Sequence, residues 1–193
     1  DTAVRAGKQE KPVSGLEVWG KTIGVIGTGR IGKGVVQRAA GFNMNILAND
    51  AYPDHAFLER FGGQYVDLDR IYREADFITI HAPLTDTTNN MINERVLSMM
   101  KPTAVLINAA RGGIVDEAAL YMALKEHRIY GAALDATEIE PACGSPLALL
   151  DNCILTPHAG AATREASLKM GLLAAQNVID VLRGKKCQYI VNE

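Results

Sequence analysis

Long hydrophobic runs, blocks of basic charge and cysteines with metal-ligand spacing are all missing from this sequence. No apolar stretch among its 193 residues approaches the length of a membrane span, and no secretory signal opens the chain. The net charge is −2 without a basic block or arm, which argues against a nucleic-acid partner. We therefore expect a cytoplasmic protein that binds neither membrane nor nucleic acid.

Cysteine is also scarce. The three cysteines, Cys143, Cys153 and Cys187, are odd in number and lack the spacing of metal ligands. They are expected to be reduced thiols with a packing role, and no metal site is predicted. With 48% hydrophobic and 22% charged residues, the chain has enough apolar side chains for one well-buried domain.

The first twenty residues show no sustained hydrophobic period. Residues 1–20 are polar and contain glycine, and they are predicted to form an arm or hinge that enters the sheet at Lys21. Trp19 is expected to pack beneath the first strand. The chain opens without an initiator Met, which suggests a fragment or a processed chain. Residues 21–183 are predicted to be the main domain and residues 184–193 a tail.

The stretch from Lys21 to Asp50 carries the first functional signal. An apolar, β-branched run at 22–26 leads into GTGRIG at 27–32, which fits the pattern G-x-G-x-x-G. A helical segment and a second apolar run follow, as in a dinucleotide-binding βαβ unit. The glycines allow a tight turn, close approach of a pyrophosphate and packing of helix on strand, while the helix N-terminus favours phosphate. The alternative is a glycine-rich turn in some other α/β protein.

Asp50 indicates which dinucleotide is bound. It ends the second apolar run, 18 positions after Gly32, close to the spacing expected for the acid of such a unit. Its carboxylate would accept hydrogen bonds from both hydroxyls of the adenosine ribose and repel a 2′-phosphate. NAD is therefore favoured over NADP as the cofactor.

Strands and helices alternate along the rest of the chain. Strands are predicted at 22–26, 44–48, 64–66, 76–80, 104–107, 129–134 and 153–155. Helices are predicted at 33–42, 68–74, 94–100, 117–126 and 163–182, with a short one between Asp54 and Gly62. This alternation predicts an α/β fold with a doubly wound parallel sheet, a Rossmann-like domain.

Three later strand ends supply a cation, a carboxylate and an imidazole. Arg111, Glu140 and His158 all follow predicted strands, and ligands of such sheets bind at the carboxyl ends of the strands. Arg111 could hold a substrate carboxylate in a bidentate fork. His158 could exchange a proton with a carbonyl or alcohol oxygen, and Glu140 could orient it. The set suits hydride transfer to a 2-oxo acid.

Each of these residues has a simpler interpretation. An arginine in Arg-Gly-Gly is usually a turn residue or surface cation, a glutamate before proline is normally a loop carboxylate, and a histidine after Thr-Pro more often makes a local hydrogen bond. The functional interpretation rests on the three lying on the cofactor's side of one sheet. His81 ends another strand and is interpreted as lining the adenine side.

Five motifs extend a family resemblance over nearly the whole chain. They are GTGRIG at 27–32, HAPLTDTT at 81–88, INAARGGIVDEAAL at 107–120, GAALDATEIEP at 131–141 and TPHAGAAT at 156–163. With them the sequence resembles the NAD-binding domain of the D-isomer-specific 2-hydroxyacid dehydrogenases, in the branch of D-3-phosphoglycerate dehydrogenase and glyoxylate/hydroxypyruvate reductase. The separations of 29 positions from Arg111 to Glu140 and 18 from Glu140 to His158 agree with the family pattern.

The resemblance implies a set of site residues. It makes Arg111, Glu140 and His158 the catalytic trio. The cofactor site that we predict consists of Gly27, Gly29, Arg30, Ile31, Gly32, Asp50, His81, Ala82, Pro83, Thr88, Ala109, Ala110, Arg111, Asp135, His158 and Gly160, with Asp135 near the nicotinamide amide.

The resemblance also implies a D-2-hydroxy acid or 2-oxo acid as substrate and a homodimer as the assembly. Glu140 argues against the formate dehydrogenase branch, and Ala161-Ala162 points away from lactate and towards glycerate-like substrates. Thr137 replaces the family's usual aromatic, so packing near Glu140 is expected to differ. The family's substrate domain is expected to be largely absent. The rival hypothesis is an NAD(H)-responsive corepressor without enzymatic activity, since such proteins are built on the same fold.

Overall fold

The computed structural model describes residues 5–7, 15–187 and 189 of the chain. Most of the predicted arm lies outside the described residues, as does the predicted tail beyond residue 187 apart from Tyr189. The expectation that Trp19 packs beneath the first strand is wrong, because this residue is 60% exposed. The N–H of Lys21 donates to the carbonyl of Val18 at 3.2 Å, and the resulting turn leaves Trp19 on the surface.

Seven parallel strands form one sheet in the order β3-β2-β1-β4-β5-β6-β7. Their bounds are β1 Thr22–Ile26, β2 Asn45–Asn49, β3 Gln64–Tyr65, β4 Phe77–Ile80, β5 Val105–Asn108, β6 Gly131–Leu134 and β7 Cys153–Leu155. The chain runs from the middle of the sheet to one edge, then crosses back to build the other half. This confirms the predicted doubly wound parallel sheet and places its switch point between β1 and β4, where ligands of such sheets bind.

Six α-helices lie within residues 15–187. They are α1 Arg30–Gly41, α2 His55–Glu59, α3 Leu68–Glu74, α4 Glu94–Met99, α5 Glu117–Lys125 and α6 Arg164–Leu182. Helix α1 begins three residues earlier than predicted, because the carbonyl of Gly29 already accepts a helical hydrogen bond from the N–H of Lys33 at 2.9 Å. A 3₁₀ helix at Pro146–Leu149 occupies a stretch where the sequence predicts no element, although Ser145 caps it and Pro146 opens it in the usual way.

Two apolar clusters hold the helices against the sheet. Neighbouring residues of β1 belong to different clusters, Val25 to one and Ile26 to the other, so the clusters lie on opposite faces. The larger one buries the strand residue Ile78 with Leu97 of α4 and Leu120 of α5. The smaller one packs α1 and α2 over β1 and β2. With both faces of the central strands covered, the carboxyl edge of the sheet is left to carry loops.

Helix α6 differs from the others because none of its residues is buried. Its exposed large apolar side chains are Leu168, Met170, Leu172, Leu173, Val178, Ile179, Val181 and Leu182. Among the described residues, no helix is both long enough and apolar enough to cross a membrane.

Candidate active site

The glycine-rich turn after β1 is built by two close backbone approaches. Gly27 has a φ of +91°, and an added Cβ there would lie 2.6 Å from the backbone carbon of His81 at the end of β4. An added Cβ at Gly32 would lie 1.9 Å from the carbonyl oxygen of Gly27. Only glycine fits both places, because a side chain would push β1 away from β4 or α1 away from β1.

The N-terminus of α1 is left uncapped at this turn. Every other α-helix in residues 15–187 starts with a side chain that accepts a backbone N–H, and these caps are Asp54, Asp67, Asn93, Asp116 and Thr163. Helix α1 has Gly29 at its N-cap position, so it has no side-chain cap, and it has no acid in its first turn. A Cβ at Gly29 would meet nothing within 4 Å. Free N–H groups, the positive end of the helix dipole and open space together suit a phosphate.

Asp50, at the end of β2, faces the same turn. Its Oδ2 accepts from the N–H of Thr28 at 2.5 Å and from the Thr28 hydroxyl at 3.0 Å, and its Oδ1 accepts from the N–H of Tyr52 at 2.8 Å. Partial burial raises the pKa of Asp50, but these hydrogen bonds outweigh it and hold the pKa below its ordinary value. The carboxylate is therefore ionised, and Oδ1, which accepts one hydrogen bond against two at Oδ2, keeps a lone pair for a further donor.

The loop after β4 carries His81, which was predicted to line the adenine side, and three other residues of the predicted cofactor site: Ala82, Pro83 and Thr88. Nε2 of His81 lies 2.9 Å from the hydroxyl of Thr79, and its buried Nδ1 has no hydrogen-bond partner among the described residues. Burial lowers the pKa of His81, so the ring is neutral at pH 7. Thr88 closes the loop by donating from its hydroxyl to the carbonyl of Pro83 at 2.6 Å. Ala82 follows His81 in this loop, and its backbone nitrogen would lie 2.8 Å from a Cβ added at Gly27.

Arg111 stands on a loop held by Asn108, the last residue of β5. Asn108 is 1% exposed; its amide donates to the carbonyl of Arg111 at 2.9 Å and accepts from the N–H of Ala110 at 3.1 Å. These two bonds fix the backbone at Ala109 and Ala110. The Arg111 guanidinium donates to the carbonyl of Ala110 at 2.7 Å, and its remaining donors have no partner among the described residues. They are available to a carboxylate.

Glu140 and His158 are brought into contact across 18 positions of sequence. Nδ1 of His158 lies 3.0 and 3.1 Å from the two carboxylate oxygens of Glu140. The side chain of His158 is 50% exposed and that of Glu140 is 42% exposed. Both line a cavity of about 280 Å³ that also includes Asp135 and Thr156. With Nδ1 engaged, Nε2 of His158 is the nitrogen left to exchange a proton.

Asp135 anchors the loop that carries His158. Its Oδ1 accepts from the Thr156 hydroxyl at 2.5 Å and from the N–H of Ala159 at 2.8 Å, and its Oδ2 accepts from the N–H of Gly160 at 2.8 Å. The hydrogen bond from Thr156 is the main cause that lowers the pKa of Asp135. The carboxylate stays charged and holds both sides of His158.

Comparisons with known proteins identify the family of the chain. A family model described as "D-isomer specific 2-hydroxyacid dehydrogenase, NAD binding domain" matches residues 1–160. The chain belongs to this family. Both the family resemblance and the NAD prediction are thereby confirmed.

Named relatives of this 2-hydroxyacid dehydrogenase domain are longer than the chain. D-3-phosphoglycerate dehydrogenase of Methanocaldococcus jannaschii is 47% identical over 94% of the chain and 35% of that protein. Glyoxylate reductase of Pyrococcus furiosus is 46% identical over 93% and 53%. The solved structure of D-lactate dehydrogenase with NAD⁺ from Lactobacillus jensenii matches with a TM-score of 0.88 and 33% identity over 100% and 62%. The chain therefore spans between about a third and three fifths of these relatives.

Several groups of the dehydrogenase domain at this edge would suit a dinucleotide. The uncapped N-terminus of α1 suits the pyrophosphate, the ionised Asp50 suits the ribose, and Ile31, 66% exposed, offers an apolar side chain beside the exposed Arg30. In the described residues no cluster of His, Cys, Asp or Glu is placed to hold a metal ion.

Some residues that support the site do not stand out in the sequence. Three such residues each hold a loop of the site through hydrogen bonds on the carboxyl edge, and they are Asn108, Thr28 and Glu117. The role of Asn108 could have been predicted from the sequence, because a polar residue at the end of an apolar strand is expected to be buried and hydrogen-bonded. The partners of Thr28 and Glu117 lie 22 and 21 positions away and have no local pattern.

Proposed function

We propose that the protein is an NAD-dependent oxidoreductase that interconverts a D-2-hydroxy acid and a 2-oxo acid. The observation that carries this proposal is the contact of His158 Nδ1 with both oxygens of Glu140. It lies on the sheet edge that also carries the uncapped N-terminus of α1. A proton-exchanging group and a phosphate-binding turn on one edge suit a dehydrogenase.

The three reacting side chains take distinct roles in this proposal. The free guanidinium donors of Arg111 bind the substrate carboxylate as a fork and turn the carbonyl towards the cofactor. Nε2 of His158 gives a proton to the carbonyl oxygen during reduction and takes it from the hydroxyl during oxidation. Glu140 keeps the imidazole in one tautomer and orientation. The nicotinamide, when bound, supplies or accepts the hydride.

The substrate is proposed to be a small glycerate-like or glyoxylate-like acid. Support comes from the named relatives, a phosphoglycerate dehydrogenase and a glyoxylate reductase, and from Ala161-Ala162 beside the His158 loop. A panel of 3-phosphohydroxypyruvate, hydroxypyruvate, glyoxylate, pyruvate and 2-oxoglutarate, with NADH oxidation as the readout, tests this in the full-length protein. Turnover of pyruvate above all the others would contradict the substrate proposal.

His158→Asn tests the mechanism more sharply than alanine would. His158 has a φ of +51°, a conformation that asparagine tolerates and alanine does not, so this variant removes the imidazole without straining the loop. Reduction of hydroxypyruvate should be lost while NADH still binds. His127→Asn is the matched control, since His127 has a φ of +53° and is exposed; it should turn over normally. NADH binding with no turnover of any acid in the unmodified protein would favour the corepressor hypothesis.

A homodimer is the assembly that we propose. Helix α6 carries a run of exposed large apolar side chains, and apolar surface of this extent usually marks an interaction site. Light scattering after gel filtration should give twice the mass of the monomer, and Leu172→Glu together with Leu173→Glu on α6 should lower it. A monomer at micromolar concentration would contradict the proposal. The cytoplasmic location stays a prediction.

A further inference from the structure

The segment that carries Glu140 is held to the domain by few hydrogen bonds of its own backbone. Among the described residues, positions 136–141 make no backbone-to-backbone hydrogen bond with another element. The amide of Asn108 reaches the carbonyl of Ala136 only at 3.5 Å. The hydroxyl of Thr137 donates to the carbonyl of Ile139 at 2.9 Å, a bond internal to the segment. A different contact must therefore set where Glu140 lies.

That contact is a reciprocal pair between Glu117 and Glu138. The N–H of Glu138 donates to Oε1 of Glu117 at 2.6 Å, and the N–H of Glu117 donates to Oε1 of Glu138 at 3.2 Å. Glu117 is the first residue of α5, so its position is fixed by a helix that packs in the larger core cluster. Burial, together with the Glu138 carboxylate, raises the pKa of Glu117. Glu138 stands two residues before Glu140.

Few packing contacts restrain the segment around the Glu117–Glu138 pair. A cavity of about 660 Å³ lies between α5 and the segment, and its lining includes Glu117, Tyr121, Glu138 and Pro141. On the other side, a Cβ at Gly112 would lie 2.0 Å from the carbonyl oxygen of Thr137. The Arg111 loop thus touches the segment at Thr137, and the next restraint along the chain is the hydrogen bond at Glu138.

We propose that Glu117 is a positioning residue, whose carboxylate fixes the backbone at Glu138 and so sets Glu140 against His158. This inference rests on the proposed function, because it assumes that the Glu140–His158 contact matters. It adds a group on α5 that touches neither cofactor nor substrate. The geometry also explains why two carboxylates sit together: each one accepts the other residue's backbone N–H.

The tautomer of His158 is the readout that separates positioning from stability. Nδ1 must carry the proton of the neutral ring when it donates to Glu140. Two-bond ¹H–¹⁵N spectra of the histidine-labelled chain, recorded at about pH 8.5 where an ordinary imidazole is neutral, report which nitrogen is protonated. Glu117→Ala should lower the ratio of Nδ1–H to Nε2–H tautomer at His158 by at least about threefold. Glu117→Gln keeps an acceptor oxygen and should restore the wild-type ratio.

Asp116→Ala is the matched control. Asp116 caps the same helix by accepting the N–H of Ala119 at 2.9 Å, so its loss should lower Tm by about 2–4 °C without changing the His158 tautomer. If Asp116→Ala changed the tautomer ratio of His158 as much as Glu117→Ala does, the inference would be overturned, because a general weakening of α5 would then explain both changes.

Glu140→Ala separates this inference from the proposed function. If Glu140→Ala leaves the His158 tautomer unchanged, the Glu140–His158 pair fails and the proposed function loses its main support. If Glu140→Ala shifts the tautomer and Glu117→Ala does not, only the role of Glu117 is wrong. If the tautomer ratio of His158 shifts in Glu140→Ala and in Glu117→Ala, but not in Glu117→Gln or Asp116→Ala, the positioning role of Glu117 is supported.

Discussion

Replacing Gly32 by alanine should destabilise the domain and abolish dinucleotide binding together. The alanine Cβ would lie 1.9 Å from the carbonyl oxygen of Gly27, whereas ordinary contacts begin at about 3.4 Å. The N-terminus of α1 would have to move away from β1 by about 1.5 Å. Both atoms of the clash are fixed to backbone, so no side-chain rotation relieves it.

The cost can be estimated and compared with a control in the same helix. Forcing a methyl group into a filled contact costs about 1–3 kcal/mol of the free energy of unfolding, which lowers Tm by about 2–12 °C in a domain of this size. Gly41 is the last residue of α1, and an added Cβ there meets nothing within 4 Å. Gly41→Ala should therefore stabilise the protein by about 0.5–1 kcal/mol, because alanine is the better helix former.

Thermal unfolding followed by circular dichroism measures both shifts, and titration calorimetry with NADH measures the affinities. Gly41→Ala should bind NADH as the wild type does. Gly32→Ala should show no measurable binding, because the N–H groups that we propose face the phosphates would have moved with α1. A Gly32→Ala protein with the melting temperature and affinity of the wild type would refute the geometry inferred for this turn.

Three further predictions concern single ionisable groups. Asp50→Ala should weaken NADH binding at least about tenfold through the loss of charge-assisted hydrogen bonds. Calorimetry should find the affinity unchanged in the control Asp151→Ala, because Asp151 is exposed in the turn before β7, away from the carboxyl edge. The folded pKa of His81 is lowered by burial, so the unfolded chain binds the extra proton and stability falls as pH drops below about 6.5. Urea unfolding should show that His81→Gln flattens this fall, and an identical slope would refute it. Burial and then Glu117 raise the pKa of Cys153 to about 11, so at about pH 8 it should react with a disulfide reagent at least about 100-fold more slowly than the exposed Cys143. Equal rates by mass spectrometry would contradict this.

The parts of the fold that depend on local sequence could be predicted. The apolar runs and helix caps gave the seven strands and most helix bounds, because each signal lies within a few residues of the element that it forms. The start of α1 was misplaced, since a glycine that begins a helix resembles one that forms a loop. Trp19 was misplaced because a large apolar side chain predicts burial only on average, and a local turn decided otherwise.

The sequence predicts which candidate residues meet at the carboxyl edge of the sheet, but it does not predict the side chains that support them. Arg111, Glu140 and His158 each follow a predicted strand, so the parallel sheet itself brings them to one edge. The pairing of Glu117 with Glu138 joins a helix start to a loop 21 positions later, and nothing local marks it. Long-range side-chain bonds to backbone are decided by the packed structure, and only the structure reveals them.

Carboxylates and amides at strand ends hold these loops where backbone pairing stops. Asp50 binds the glycine-rich turn and Asp135 binds both sides of His158, and the folded pKa of each is below its ordinary value. Their contributions are therefore fully present above the unfolded pKa of about 4 and are lost only as the pH falls through the lower folded values. Both acids remain ionised at every pH near neutrality. The proton transfer that we propose at this edge would therefore take place on a framework whose own charge does not change.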